Sequence, residues 1–169
     1  MSYTQHQSEA EPIVARVAVV TLSDTRTEAT DGSGQAIRRL VADAGHVVVR
    51  YHLIRDEPAD LEALLRELLS HPDVDVVLTN GGTGIGGRDR TMGVVDRLIE
   101  TPLPGFGELF RMLSWEQVGS GAMLSRASGG VAEGGKLLFA MPGSTKAVEL
   151  AMSRLVLPEL KHLLRELRK

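Results

Sequence analysis

The sequence contains no cysteine among its 169 residues. Disulfides, thiolate metal sites and a cysteine nucleophile are thereby excluded. It lacks an excess of positive charge: 19 Lys and Arg against 22 Asp and Glu leave a net −3. Electrostatics therefore do not indicate a nucleic-acid partner. A phosphate would have to be held locally, by backbone N–H groups or a divalent cation. No apolar run approaches the roughly 20 residues of a membrane span. Residues 1–12 are polar with no apolar centre, so they are not a signal peptide, and a disordered N-terminal tail is expected there. The protein is expected to be cytoplasmic, with no membrane partner. The five histidines (His6, His46, His52, His71, His162) are scattered, without metal-ligand spacing. No Gly-Lys-Ser/Thr ending marks a P-loop, and no G-x-S-x-G elbow surrounds Ser125-Arg126, which argues against a serine hydrolase.

What is present fits one α/β domain over residues 13–169. Residues 13–22 form a β-branched apolar run ending in Ser23-Asp24, the pattern of a strand buried on both faces. Ala36, Ile37, Leu40, Val41 and Ala44 fall at helical spacing before a Gly45 stop. A second strand is predicted at 47–54. Pro58 then opens a helix with a Leu61, Leu64, Leu65, Leu68, Leu69 stripe, and a third strand follows at 74–79. This alternation argues for a parallel sheet with right-handed crossovers. Further on, a short helix is predicted at 92–100, broken by Pro102 and Pro104, and another at 107–117. Residues 123–135 are glycine- and serine-rich and suit a short hairpin. A strand follows at 136–141. Ser144 caps a helix reaching about Leu155, and Pro158 begins a separate last helix.

The strongest chemical signal is the run from Thr79 to Thr91, which follows the third strand. It holds five glycines in the seven residues 81–87. Such a loop opens at the carboxyl edge of the sheet, where open α/β proteins bind ligands. Its glycines let backbone approach a ligand and aim successive N–H groups at one anion. A flexible surface loop is the competing reading, disfavoured because ordering so many glycines costs entropy. Asp89 supplies a carboxylate beside the loop, which makes sense if Mg²⁺ lies between acid and phosphate. Gly82, Gly84 and Gly87 fit G-x-G-x-x-G, but after the third strand rather than the first and with no acidic partner downstream, so a dinucleotide-dependent oxidoreductase is disfavoured. Asp56 follows the second strand and reaches the same edge, where it would share the metal with Asp89; an ordinary helix cap is the alternative. Ser23-Asp24 ends strand one, with turn chemistry as its plainer role. Pro142-Gly143-Ser144 sets a helix N-terminus after a strand, a ready anion site or simply a capped helix.

Together these segments resemble the MoaB/MogA-like molybdenum cofactor biosynthesis proteins, which share a fold with the G domain of gephyrin. The resemblance runs over residues 17–147. It is carried by Thr21-Leu22-Ser23-Asp24, Asp31-Gly32-Ser33-Gly34, Leu53-Ile54-Arg55-Asp56-Glu57, the glycine loop with Arg88-Asp89, Pro104-Gly105-Phe106-Gly107-Glu108, Leu124-Ser125-Arg126-Ala127 and Met141-Pro142-Gly143-Ser144. It implies a three-layer α/β/α sandwich with a mostly parallel sheet, and a homotrimer or a hexamer of two trimers, with other cofactor-synthesis proteins as further partners. The implied reaction is adenylyl transfer from Mg-ATP to the terminal phosphate of molybdopterin, releasing pyrophosphate; ATP and molybdopterin are then substrates and Mg²⁺ the cofactor. Asp56 and Asp89 would handle Mg-ATP and carry catalysis. Thr79, Asn80, Gly81, Gly82, Thr83 and Gly84 would cradle phosphate, and Ser23, Asp24, Glu108, Ser125, Pro142, Gly143 and Ser144 would line the pterin and nucleotide pocket. Where the family usually has a second Thr, this chain has Asn80. A non-catalytic member that binds molybdopterin without turnover is the alternative reading.

Overall fold

A computed structural model describes residues 13–86 and 90–169. The expected tail at 1–12 and the residues Gly87, Arg88 and Asp89 lie outside the described residues, so the Asp89 assignment is carried forward from sequence alone. The strands are β1 (Arg16–Leu22), β2 (Val47–Ile54), β3 (Val76–Asn80), β4 (Ile99–Pro102), β5 (Ser128–Ala132) and β6 (Lys136–Met141). They form one six-stranded sheet in the order β2-β1-β3-β6-β5-β4. β2, β1, β3 and β6 pair in parallel, whereas β5 runs antiparallel to both of its neighbours.

The parallel strands read as unbroken apolar runs because both faces are covered. Val17, Val19, Val76, Leu78, Leu137 and Phe139 face one core. That core is closed by α1 (Gly32–Asp43), α4 (Pro104–Val118), α5 (Thr145–Ala151) and α6 (Leu157–Leu167). Ala18, Val20, Val77, Leu138 and Ala140 face the other, under α2 (Pro58–Ser70) and α3 (Thr91–Leu98). The result is the three-layer α/β/α architecture with a mostly parallel sheet. Pro58 opens α2 and Pro104 opens α4, at positions where the missing N–H has no helical partner to lose. Gly45 takes a φ of +78° just after α1, which suits glycine.

Several boundaries differ from the sequence reading. Strand one begins at Arg16 rather than residue 13. The helix expected over 92–100 ends at Leu98, and the chain continues directly as β4. Pro102 is compatible with that strand because β4 is the sheet's outer edge, where an absent N–H breaks no ladder. Pro158 stands in the first turn of the last helix, as expected, but that helix is not detached from the one before it. α5 and α6 are joined by a π-helical turn, Met152–Val156, in which the Leu157 N–H donates to the Met152 carbonyl. The wider turn relieves the clash a proline ring makes with the carbonyl four residues back, and helical backbone runs through. The hairpin expected at 123–135 is instead β5 with β6 as its second arm. His46 is buried and structural: its Nδ1 accepts the Ala15 N–H at 3.1 Å.

Gly129 of β5 sits opposite Phe139 of β6. A Cβ there would come within 2.3 Å of the Phe139 ring and 3.2 Å of Phe106, two rings that meet edge-to-face at 5.0 Å. The glycine therefore makes room for the aromatic cluster beneath α4. We expect Gly129→Ala to lose about 1–3 kcal/mol by overpacking, read as a lower urea midpoint, and Phe139→Leu to restore part of that loss in the double variant. An unchanged midpoint in Gly129→Ala would refute this packing account.

Candidate functional site at the carboxyl edge of the sheet

β1, β3 and β6 end together, and their ends touch through backbone. Gly81 follows β3 with φ +94°, and a Cβ on it would stand 2.3 Å from the Leu22 carbonyl oxygen. A Cβ on Gly143, after β6, would stand 3.0 Å from Gly81 Cα. The Gly81 N–H donates to the Met141 carbonyl at 3.1 Å. Side chains are excluded by both contact and φ at Gly81 and at Gly82 (+63°), so the glycines here meet a steric demand.

What fills the space over Gly82 is Asp56. A Cβ at 82 would lie 2.8 and 3.0 Å from the two Asp56 carboxylate oxygens and 2.0 Å from Thr91 Oγ1. The Thr91 hydroxyl donates to Asp56 Oδ1 at 3.3 Å, and the Asp56 N–H donates to Asp24 Oδ1, also at 3.3 Å. Thus Asp24 from the end of β1, Asp56 from the end of β2, Gly82 from the end of β3 and Thr91 from the start of α3 converge. Ser23 makes the turn expected of it, its Oγ accepting the N–H groups of Thr25 and Arg26 at 3.3 and 3.1 Å.

Behind this cluster lies a buried network centred on Asp31, whose side chain is wholly inaccessible. Its Oδ1 accepts the Gly34 N–H at 3.0 Å as the cap of α1, and its Oδ2 accepts the Tyr51 hydroxyl at 2.7 Å. Arg26 reaches Asp31 at 3.4 Å, donates to Ser33 Oγ at 2.6 Å and donates to the Gly143 carbonyl at 2.9 Å. The Ser33 hydroxyl in turn donates to Asn80 Oδ1 at 2.7 Å, with Asp31 Oδ1 at 3.1 Å as the other acceptor. Asn80 Nδ2 donates to Thr21 Oγ1 at 2.9 Å. Burial alone would raise the Asp31 carboxyl, but bonds from Thr21, Gly34, Tyr51 and Ser33 outweigh it and hold it below the usual carboxylate range. Burial and the bond to Asp31 push the Tyr51 phenol up.

The remaining sequence-selected residues divide between interior, cavity and surface. Thr79 and Asn80 are fully buried and Thr83 nearly so; Asn80's amide is spent inside the protein, and Gly84 is exposed. Ser125, Pro142 and Ser144 line a cavity of about 900 Å³ between the C-terminal half of α4 and the start of α5. Lys146 and Arg154 share its wall, and Ser144 caps α5 by accepting the Ala147 N–H at 3.2 Å. Glu108 is exposed on α4.

Known proteins of this shape decide the family. A model described as a probable molybdopterin binding domain matches residues 18–162. Molybdenum cofactor biosynthesis protein B of Bacillus anthracis is 51% identical over 168 residues, covering 99% of this chain and 98% of the relative. The chain belongs to the molybdenum cofactor biosynthesis protein family. A crystal structure of a molybdenum cofactor biosynthesis protein B matches at TM-score 0.91 and 50% identity, covering 94% of this chain and 99% of that one. The tungsten cofactor synthesizing protein MoaB from Pyrococcus furiosus matches at TM-score 0.83 and 32% identity, covering 94% and 100%. Among the described residues, no helix is long and apolar enough to cross a membrane.

Within this family member the residues that sequence reasoning passed over are Asp31, Arg26, Tyr51 and Thr91. The sequence offers Asp31-Gly32 as a turn signal and Asp31 as part of a matched motif. The one further local clue is Gly34, where a Cβ would overlap Asp31 Oδ2 at 2.0 Å.

The Asp31 network sets a pH dependence. Folding favours the ionised carboxylate, so its contribution is complete above the unfolded carboxyl value near about 4 and is lost as pH falls through the lower folded value. Asp31→Asn should cost about 1–3 kcal/mol at neutral pH by leaving buried donors unmatched. Urea unfolding should show the gap to the parent narrowing below about pH 4; a gap independent of pH would contradict the assignment.

Proposed function

We propose that this protein adenylylates molybdopterin, taking AMP from Mg-ATP and releasing pyrophosphate. The observation that carries the reading is the Asp56 carboxylate facing Gly82, with Asp24 bonded to the Asp56 backbone. Two acids beside an anion-binding glycine loop repel a bare phosphate. They suit one whose charge is shared with a divalent cation. Asp56 and Asp24 would hold Mg²⁺ there with Asp89, which the family resemblance adds. Bound there, the cation would supply neutralisation of charge on the transferring phosphoryl group.

The chain's own part is positioning. Backbone N–H groups of residues 82–84 would orient the phosphate, the Gly81 N–H being spent on the Met141 carbonyl. The Thr91 hydroxyl would hold Asp56 aimed at the loop. The Ser125–Ser144 cavity, at about 900 Å³, falls within the size of ligand sites and would take the pterin. The attacking pterin phosphate is already ionised at neutral pH, so nucleotidyl transfer asks for alignment and charge compensation more than for a proton acceptor. We infer a homotrimer or a hexamer for the working form.

The test is formation of adenylylated molybdopterin from molybdopterin, ATP and Mg²⁺. The parent should form product; Asp56→Asn should lower kcat by about 10²-fold or more while its thermal unfolding midpoint stays near that of the parent. Binding of molybdopterin with no product under any metal condition would leave a binding protein without turnover and end the adenylyltransferase reading.

A further inference from the structure

A second polar cavity, of about 410 Å³, opens between the first turn of α3 (Met92, Gly93), Arg111 of α4 and the segment 126–128. Two guanidiniums, Arg111 and Arg126, share its wall. Both are half-buried, and among the described residues neither is paired with a carboxylate. The one acid of the wall, Asp96, accepts the Ser128 hydroxyl at 2.7 Å. Most other arginines here are held by acids, as Arg16 is by Asp75 and Arg66 by Glu62. Two guanidiniums against the single carboxylate of Asp96 leave this wall with an excess of positive charge, which favours an anion from outside, and a multivalent one over a monovalent one.

The backbone makes room for this arrangement. A Cβ at Gly107, one turn before Arg111, would stand 3.1 Å from Arg111 Nη1 and 2.6 Å from the Ala127 carbonyl. Its absence lets the guanidinium fold back along α4 and lets the 126–128 segment close against the helix. Met92 of its wall directly follows Thr91, whose hydroxyl donates to Asp56. The Ser125–Ser144 cavity has a separate wall; Ser125 lines that one and the next residue, Arg126, lines this one.

We propose that Arg111 and Arg126 form a polyphosphate subsite that takes the β- and γ-phosphates of the nucleotide and retains them as pyrophosphate. The assignment rests on the adenylyl-transfer reading above. In that step an ionised oxygen of the pterin phosphate forms a bond to the α-phosphorus. The bond from the α-phosphorus to the bridging oxygen breaks, and its electron pair leaves on pyrophosphate. Charge accumulates on the leaving group, where two guanidiniums donate bidentate, charge-assisted hydrogen bonds. The pterin's own phosphate offers the same kind of oxygen anion, but as a monoester it carries about half the charge, and the Ser125–Ser144 cavity is available to it.

Calorimetric titration of the full chain with inorganic pyrophosphate and Mg²⁺ tests this directly, without turnover. Arg111→Gln and Arg126→Gln should each weaken pyrophosphate at least about tenfold, with Arg126→Lys intermediate because it keeps charge and loses the fork. Arg66→Gln, which removes an equal charge from α2, should leave the affinity unchanged. Molybdopterin affinity should also be unchanged in both glutamine variants; if it falls while pyrophosphate binding does not, the cavity serves the pterin phosphate and the assignment is overturned. Pyrophosphate affinity equal in parent and folded variants likewise overturns it. Arginine-dependent pyrophosphate binding without any adenylylated product would uphold the subsite and reject the reaction. Product formation with arginine-independent pyrophosphate binding would do the reverse.

Discussion

The carboxyl edge of the sheet depends on three stretches of backbone approaching closer than any side chain permits. Gly81 lies under the Leu22 carbonyl and against Gly143, and its N–H closes onto the Met141 carbonyl. β1, β3 and β6 consequently finish at one level, and the segments leaving them diverge from a single point. Asp24, Gly82 and Ser144 begin from that point, and Asp56 enters over Gly82 because no Cβ fills the space. The geometry of the candidate site is therefore set by main chain, which moves less than side chains and needs little reorganisation when a ligand arrives.

Such an edge needs bracing, because the segments after strands have no ladder of their own. The Asp31 network supplies it. Arg26 spans from Asp31 and Ser33 to the Gly143 carbonyl and so ties the segment after β1 to the turn after β6. Ser33 and Thr21 tie the start of α1 and the end of β1 to the Asn80 amide. Burying a carboxylate is costly unless its lone pairs are matched. Here a backbone N–H, a phenol, two hydroxyls and a guanidinium match them. A hydrophobic replacement could fill the same volume, but it could not fix the Gly143 carbonyl and the Asn80 amide in relation to one another. The network's value is thus positional, and its polar members make sense next to a loop that must hold one shape.

Much of this was legible in the chain. The apolar runs gave the central strands, β2 appeared at its observed bounds, and the glycine loop and Ser144 cap fell at the edge that a parallel sheet dictates. Those signals are local: period, turn chemistry and capping act within a few residues. What escaped was set by distance. Tyr51 lies 20 residues from Asp31, Asn80 lies 47 from Ser33 and Gly143 lies 117 from Arg26, so Asp31 read as a mere turn. Pro102 misled, and Pro158, though it does open the last helix, hid the continuity with the helix before it, for a related reason. Each is a breaker by propensity, yet one sits on an outer edge strand and the other behind a π-helical turn, contexts that only tertiary structure provides.

Shifted ionisation is the usual pointer to a functional site, and here it leads to the brace. Asp31 is held down and Tyr51 pushed up because they share one hydrogen bond inside the protein. Neither lines the cavities at the carboxyl edge. A reaction in which an already ionised phosphate oxygen attacks phosphorus gives selection little reason to tune a proton acceptor. It rewards donors fixed in place and charges spaced to match a polyanion. Such a site is marked by positive-φ glycines, a carboxylate held over them, and guanidiniums without local partners. The net charge of −3 is no obstacle to such a site, because a local cluster of cations, as where Arg111 and Arg126 share one wall, acts over a shorter range than the charge of the whole chain.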